Sequence, residues 1–383
     1  MKVLRLPRAK VAVGRPLPWN VRDESGLLLL SKGHIVENEQ QLDTLLERGA
    51  FVDVEEIRAS AAQASGNEVA QTPAYVLPPN LFGLWDKTSA QLQALLTRSA
   101  EPDFVAQVAQ YAQDLIALMD VNPDIALYRC VRQDNVQHYW YGYAHSVHTA
   151  VLCVLMARQL AWPQSRCMSL VHAALTMNLS ILELQGQMAG QDTPVKEKQA
   201  EKIRAHPQAA VDALLRAGVR DQDWLDAIAQ HHERSDGSGY PKGLTALNEL
   251  AVALRVADVF MAKISPRALR EALTPQAAVR QLYTEDGGGA LSTAVVKQFG
   301  LYPPGDYVRL ASGEQAVVVQ RTANAKAPIV AAITDAYGQS IVRTLRRDTS
   351  QSEFAIVGTV ADRSALKRLA PERLYGLATV AKA

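Results

Sequence analysis

Five side chains are of the type and spacing to do chemistry together: His145, His206, the adjacent His231 and His232, and Asp258. Neutral imidazole nitrogens beside a carboxylate make a donor set suited to Zn, Fe, Mn or Ni. Trp224 and Ile228 mark the inner face of a predicted helix, and counting on three or four residues brings His231 and His232 to its inner edge. Glu233 follows, then the turn-rich run Ser235-Asp236-Gly237-Ser238-Gly239-Tyr240-Pro241. Alone, such a pair equally describes a polar helix end running into a glycine turn. Asp258 recurs with Leu250 and Leu254 at i, i+4 and i+8, so its carboxylate projects from an apolar face. A charge there needs a cation, a metal or strong donors. Arg255, one turn earlier, is the ordinary partner and a metal the chemically active one. His206 precedes Pro207 at a predicted helix start, with Ala210 and Leu214 behind it. His145 opens an apolar helix, with His148 and Leu152 one and two turns on. Taken singly, these two are structural or capping histidines. His34, His138 and His172 have no supporting pattern and are read as structural.

Taken together the pattern becomes specific. His206-Pro207, His231-His232-Glu233, Asp236-Gly237-Ser238-Gly239-Tyr240-Pro241, Arg255 and Asp258 resemble the HD-GYP family of cyclic-di-GMP phosphodiesterases, over roughly residues 139 to 299. The resemblance implies a mainly α, HD-type helical bundle. It implies a divalent metal held by His145, His206, His231, His232 and Asp258. It also implies a cyclic-di-GMP or related dinucleotide ligand at Gly239, Tyr240, Pro241, Arg267 and Arg270. The last two fall in Ser265 to Arg270, similar to the segment in which the family sets two basic residues on the ligand phosphates. On a helical turn, their i, i+3 spacing would point both guanidinium forks the same way.

The sequence departs from the family at one decisive place. The family carries an adjacent His-Asp on the helix after its first histidine, then a lysine after two more residues. Met177, Asn178 and Ile181 stand there, and Tyr141 stands where some members have an acidic ligand. Bridging two divalent ions about 3.5–4 Å apart requires an anionic ligand with two oxygens. Asn178 is neutral, and a thioether at Met177 is a soft donor, poor for Fe or Mn. The expectation is therefore one ion or none, no assignable catalytic residue, and reduced or absent turnover, with His148 a replacement imidazole. Three readings follow: a degenerate module that binds dinucleotide, metal or a protein partner; an active phosphodiesterase with an altered metal site; and an interaction scaffold without ligand.

These side chains need helices to position them, and residues 81–299 have a helical period; Phe104, Val108, Ala112 and Leu115 form one stripe. Residues 59–80, rich in Ala, Ser, Gln and Pro, read as a linker. Residues 1–58 read as a small β-rich module, with strands at Leu27 to Leu30 and Phe51 to Val54 and a helix from Gln40 to Arg48. Residues 300–383 read as a second one, with strands near Val308 to Leu310, Ala316 to Val319 and Pro328 to Val330. Neither flanking module shows a pattern that translates into chemistry. The 383 residues balance 40 basic against 39 acidic side chains, so no basic field exists to collect nucleic acid or an anionic membrane. A phosphate-bearing ligand must then be held by a local pocket. Cys130, Cys153 and Cys167 form no CxxC motif, which fits a reducing cytoplasm. No apolar run approaches the roughly 20 residues of a membrane span.

Overall fold

The structure, a computed structural model, describes residues 80–133 and 137–360 continuously, an interrupted set within 3–56, and residues 362, 366 and 369–376. Residues 59–79 of the expected linker lie outside the described residues. The chain divides into two units, Met1–Pro78 and Pro79–Ala383. It is mainly helical, with a small antiparallel sheet towards each end, as the sequence predicts. No helix among the described residues is long and apolar enough to cross a membrane.

The first unit has a four-stranded sheet of β1 (Val3–Arg5), β2 (Val21–Arg22), β3 (Leu28–Leu30) and β4 (Phe51–Asp53), in the order β1-β4-β2-β3. Helix α1 (Glu39–Glu47) gives Leu42 and Leu45 to a core shared with Leu6, Val21, Val36 and Val52. The leucine run predicted as a buried strand is β3, where Leu29 and Leu30 are half-buried.

The second unit is built on helices α2 (Leu81–Leu96), α3 (Phe104–Val121), α4 (Pro123–Val131), α5 (Tyr141–Gln159), α6 (Gln164–Thr176), α7 (Leu182–Ala189), α8 (Glu197–Arg216), α9 (Gln222–Gln230), α10 (Glu249–Ile264), α11 (Pro275–Glu285) and α12 (Ala290–Phe299). Asn80 caps α2 by accepting from the Gly83 N–H at 2.9 Å. Helix α5 lies at the centre, packed by α2, α6, α7, α10 and α12. Every residue from Tyr141 to Ala157 is buried, so α5 shows no single apolar stripe. Its few polar groups, His145 and His148 among them, are therefore buried too.

A five-stranded antiparallel sheet follows, made of β5 (Tyr307–Leu310), β6 (Gln315–Gln320), β7 (Ile329–Thr334), β8 (Ser340–Asp348) and β9 (Ile356–Thr359), in the order β8-β7-β6-β5-β9. Alternation along the strands sends Tyr307, Val317, Val319, Ala331 and Ile333 into the helical core. Val308, Leu310, Ala316, Val318, Val330 and Ala332 form a separate cluster on the other face. Arg321 ties sheet to helices: its Nε reaches Asp124 at 2.6 Å and its Nη1 donates to the Gln298 carbonyl at 2.8 Å. Helix α13 (Pro371–Tyr375) packs its Tyr375 ring against Phe82 and Tyr128.

Candidate metal centre

His206 on α8 and His231 and His232 at the end of α9 converge, with one donor atom from each lying within 4.8 Å of the others. The backbone explains how they are aimed. His206 does not stand at a helix start, as the sequence suggested; α8 continues through it with Pro207 inside. Proline has no N–H, so the Ile203 carbonyl four residues back lacks its helical donor. His206 Nδ1 donates to that oxygen at 2.6 Å. His231 is the C-cap of α9 and its Nδ1 donates to the Ile228 carbonyl at 2.6 Å, one of the oxygens a helix end leaves over.

A carbonyl can only accept, so both Nδ1 atoms carry the hydrogen and both Nε2 atoms present lone pairs. Those two Nε2 atoms are 3.2 Å apart. Two lone pairs so placed repel, and a cation between them removes the conflict. Nitrogens about 2.1 Å from one ion lie about 3.0–3.4 Å apart at octahedral to tetrahedral angles. Backbone acceptors on the far ring nitrogen are also what orients ligating histidines in general. Burial pushes His206 down to about 3 and His232 down to about 2, the neighbouring His231 imidazole adding to both; burial lowers His231 as well. The rings are therefore neutral, the form that ligates. The residues fit one divalent ion.

The glycine-rich loop supports this cluster from behind. The buried Glu233 carboxylate accepts from the N–H groups of Lys242 at 2.7 Å and Leu244 at 3.0 Å, which closes the loop. A Cβ at Gly239 would lie 2.4 Å from both Arg234 N and Glu233 Cα, so only glycine allows that approach. Tyr240 donates its N–H to the His232 carbonyl at 3.2 Å and stacks its ring on the His232 ring, with centroids 4.6 Å apart. Its bond to the exposed Pro241 is cis. Gly239 and Tyr240, expected at the ligand, hold His232 in place.

His145 and Asp258 form a second group. Asp258 projects from the apolar face of α10 beside Leu250 and Leu254, as predicted. Its partner is His145, whose Nε2 lies 2.7 Å from Asp258 Oδ1; Arg255 is not the partner. Burial works to raise the Asp258 pKa, but the His145 hydrogen bond and the electrostatic pull of the imidazoles around it outweigh burial and hold the carboxyl well below the usual range. Tyr141 stacks on His145 with ring planes 8° apart and centroids 5.7 Å apart. The Tyr141 hydroxyl accepts from Arg267 Nε at 2.9 Å and Nη2 at 2.6 Å, and the guanidinium lies over its ring. Arg267, Tyr141, His145 and Asp258 thus make one continuous chain of contacts.

Arg267 and Arg270 are not on a helical turn. Helix α10 ends at Ile264, where the Ser265 N–H and hydroxyl both donate to the Met261 carbonyl. Pro266 disfavours helical backbone before it. The two arginines instead face each other across a tight turn closed by two 3.2 Å backbone hydrogen bonds. Directly opposed residues of such a bridge share a face, so the two side chains keep a common side. Arg270 donates to the Ala262 carbonyl.

Met177 caps α6 and is fully buried in the apolar core. Asn178 is buried, and among the described residues its Nδ2 has no acceptor. His148, the expected replacement imidazole, does not join the cluster; it lines a cavity of its own. Sequence reasoning missed the clamp made by Glu233 and the link made by Tyr141. His206-Pro207 did carry a usable signal, since a proline frees a carbonyl that its neighbouring histidine can take.

An HD domain family matches residues 129–288. The chain is 30% identical over 186 residues to the cyclic di-GMP phosphodiesterase PA4108 of Pseudomonas aeruginosa, covering 47% of this chain and 45% of that protein. It is 32% identical over 136 residues to the cyclic di-GMP phosphodiesterase response regulator RpfG of Xanthomonas campestris, covering 35% and 36%. The chain thus spans less than half the length of these curated relatives. Among solved structures it is similar to Bd1817, a HDG"Y"P protein of Bdellovibrio bacteriovorus, at 15% identity and a TM-score of 0.43, covering 77% of this chain and 98% of that one.

Proposed function

This chain belongs to the HD-GYP family, and from that premise we propose that it is a degenerate member. It holds a single divalent ion on His206, His231 and His232. It binds a cyclic dinucleotide of the cyclic-di-GMP class with reduced or absent turnover, and passes the bound state to a protein partner. The observation that supports this is the contrast within the cluster. Three imidazoles bring one donor atom each within 4.8 Å of the others, two of them with facing Nε2 lone pairs, while His145 and Asp258 pair with each other at 2.7 Å.

Bound at the three imidazoles, the ion would supply Lewis acidity towards a phosphoryl oxygen. The remaining roles belong to the chain itself. Glu233 and Tyr240 keep His232 aimed. Arg267 is the phosphate-side cation, and it must exchange the Tyr141 hydroxyl for a phosphate oxygen to engage ligand. Asp258 is occupied by His145 and so is not a free base. Neither Met177 nor Asn178 brings the negative charge that a second ion beside the first requires.

Elemental analysis of protein purified without chelator, with cyclic-di-GMP binding and hydrolysis measured on the same sample, tests the reading. The expected result is about one equivalent of metal, binding, and no more than slow hydrolysis. Two equivalents with sustained turnover would overturn it in favour of the alternative, an active phosphodiesterase with an altered site. The phosphodiesterase names of the relatives favour that alternative; it further requires turnover to vanish in His231→Ala. A third reading, a scaffold without ligand, requires neither metal nor dinucleotide to bind.

A further inference from the structure

Helix α5 serves two places. On one side Tyr141 stacks on His145, which pairs with Asp258. On another, Trp140, Ala144 and His148, spaced by four, line a cavity of about 340 Å³. Helix α2 adds Trp85, helix α4 adds Arg129, and Gln133 lies just beyond α4. None of the histidine cluster, Arg267 or Arg270 lines it.

The uncharged polar groups on its wall are incompletely bonded. Gln133, 8% exposed, donates its Nε2 to the Cys130 carbonyl at 2.8 Å. A carbonyl can only accept, so the amide orientation is fixed. The Gln133 Oε1 is left as an acceptor that no donor reaches among the described residues. His148, 9% exposed, makes no hydrogen bond among the described residues. Polar side chains so deeply buried are normally partnered, and a ligand in the cavity would complete both. The charged groups, in contrast, are already engaged. Arg129 pairs with Asp86 at 2.6 Å and donates to the Phe82 carbonyl at 3.1 Å. Arg132, also on the wall, has an interaction of its own within the chain. Burial, with His145 and Arg129 adding to it, lowers His148 to about 3, so its imidazole is neutral. The cavity therefore offers hydrogen bonds without requiring a counter-ion. Trp85 and Trp140 give it flat aromatic wall. Its volume lies at the small end of the range for organic ligands, about 300–1,000 Å³.

We propose that this cavity is a second ligand site, separate from the histidine cluster, for a small uncharged heterocycle of nucleobase size that carries a ring N–H beside a carbonyl. The ring N–H donates to Gln133 Oε1, the carbonyl accepts from the His148 imidazole, and the ring lies against Trp85 and Trp140.

Calorimetric titration of the full chain with uracil and hypoxanthine tests this, beside fully N-methylated forms of each, which keep the ring and carbonyl but lose the N–H. At least one of the two bases is expected to bind one-to-one. Its methylated form should bind at least about tenfold more weakly, the loss of one hydrogen bond to a buried acceptor. In Gln133→Leu that preference should disappear, the parent base falling to the level of its methylated form. His148→Phe should weaken the parent base roughly tenfold. A cooperative urea transition in each variant shows that it is folded. His231→Ala should leave the affinity unchanged. Absence of binding by both bases at millimolar concentration overturns the proposal, as does methylation without effect on the wild type. So does binding that disappears in His231→Ala, which would return the ligand to the histidine cluster. Orotate, which is uracil with an added carboxylate, should bind no tighter than uracil; a gain of about tenfold or more would make this a site for anions and overturn the proposal.

Discussion

The two groups of expected ligands, His206 with His231 and His232, and His145 with Asp258, are both built on buried imidazoles and end in different states. In the half made by α8 and α9, each Nδ1 of His206 and His231 is taken by a carbonyl of its own helix, and the Nε2 atoms face each other at 3.2 Å. That half leaves two lone pairs opposed, a conflict that a bound cation would remove. In the half made by α5 and α10, His145 faces a carboxylate, and its ring is stacked under Tyr141, which is in turn held by Arg267. In that half the His145 Nε2 already has its carboxylate partner, while among the described residues its buried Nδ1 has none. Ligand chemistry therefore depends less on how many imidazoles are present than on what their second nitrogen and their neighbours have been given.

The largest effect should come from breaking the open half. His231→Ala is expected to weaken metal retention by at least about a hundredfold, whereas His145→Ala should leave it within a few-fold; titration calorimetry with Mn or Zn reads both. Equal losses would mean that the halves form one site. Next in size is Gly239→Ala. Its new Cβ would meet backbone at 2.4 Å and force the loop off His232, costing about 2–4 kcal/mol in urea unfolding, with lower metal affinity.

The halves should also separate by pH in metal-free protein. The imidazoles of His206 and His232 lie below their ordinary 6.5 in the fold, so the unfolded chain binds more protons below that value. Their stabilising effect is complete above pH 6.5 and is lost as pH falls towards about 3. For fully buried His206 the slope is about 1.4 kcal/mol per pH unit. Asp258 lies below its ordinary 3.8, so its contribution persists until pH falls below that value. Chemical unfolding from pH 8 to 4 should therefore show a decline that His206→Leu reduces and that Asp258→Asn leaves in place. The smallest effect is expected for Tyr141→Phe, about 1 kcal/mol of stability. It should leave metal content unchanged and raise cyclic-di-GMP affinity a few-fold by releasing Arg267. A fall in affinity would mean that Tyr141 presents the arginine instead of restraining it.

Much of this site was legible where the signal was local. His231 and His232 follow an amphipathic turn, and Asp258 interrupts an apolar period, so both were placed by spacing alone. The helical core and the strands β5, β6 and β7 were readable from their periods. His206 was misplaced because proline usually marks a helix start, and here the histidine itself compensates for the missing N–H. The arginine turn was misread because i, i+3 spacing outweighed Pro266, the residue that ends the helix. The Tyr141–Arg267 contact spans 126 positions, and no local pattern reports it. Strand β8 was missed because Ser340–Asp348 is rich in arginine and lacks alternation.

The C-terminal sheet has a practical consequence. Because Val317, Val319, Ala331 and Ile333 are part of the helical core, residue 300 marks a change of secondary structure and not a seam. A fragment ending there would open that core to water and aggregate. The helices that carry the histidines are therefore not a portable cassette, and any partner that grips the outer face of the sheet is already pulling on the domain they belong to.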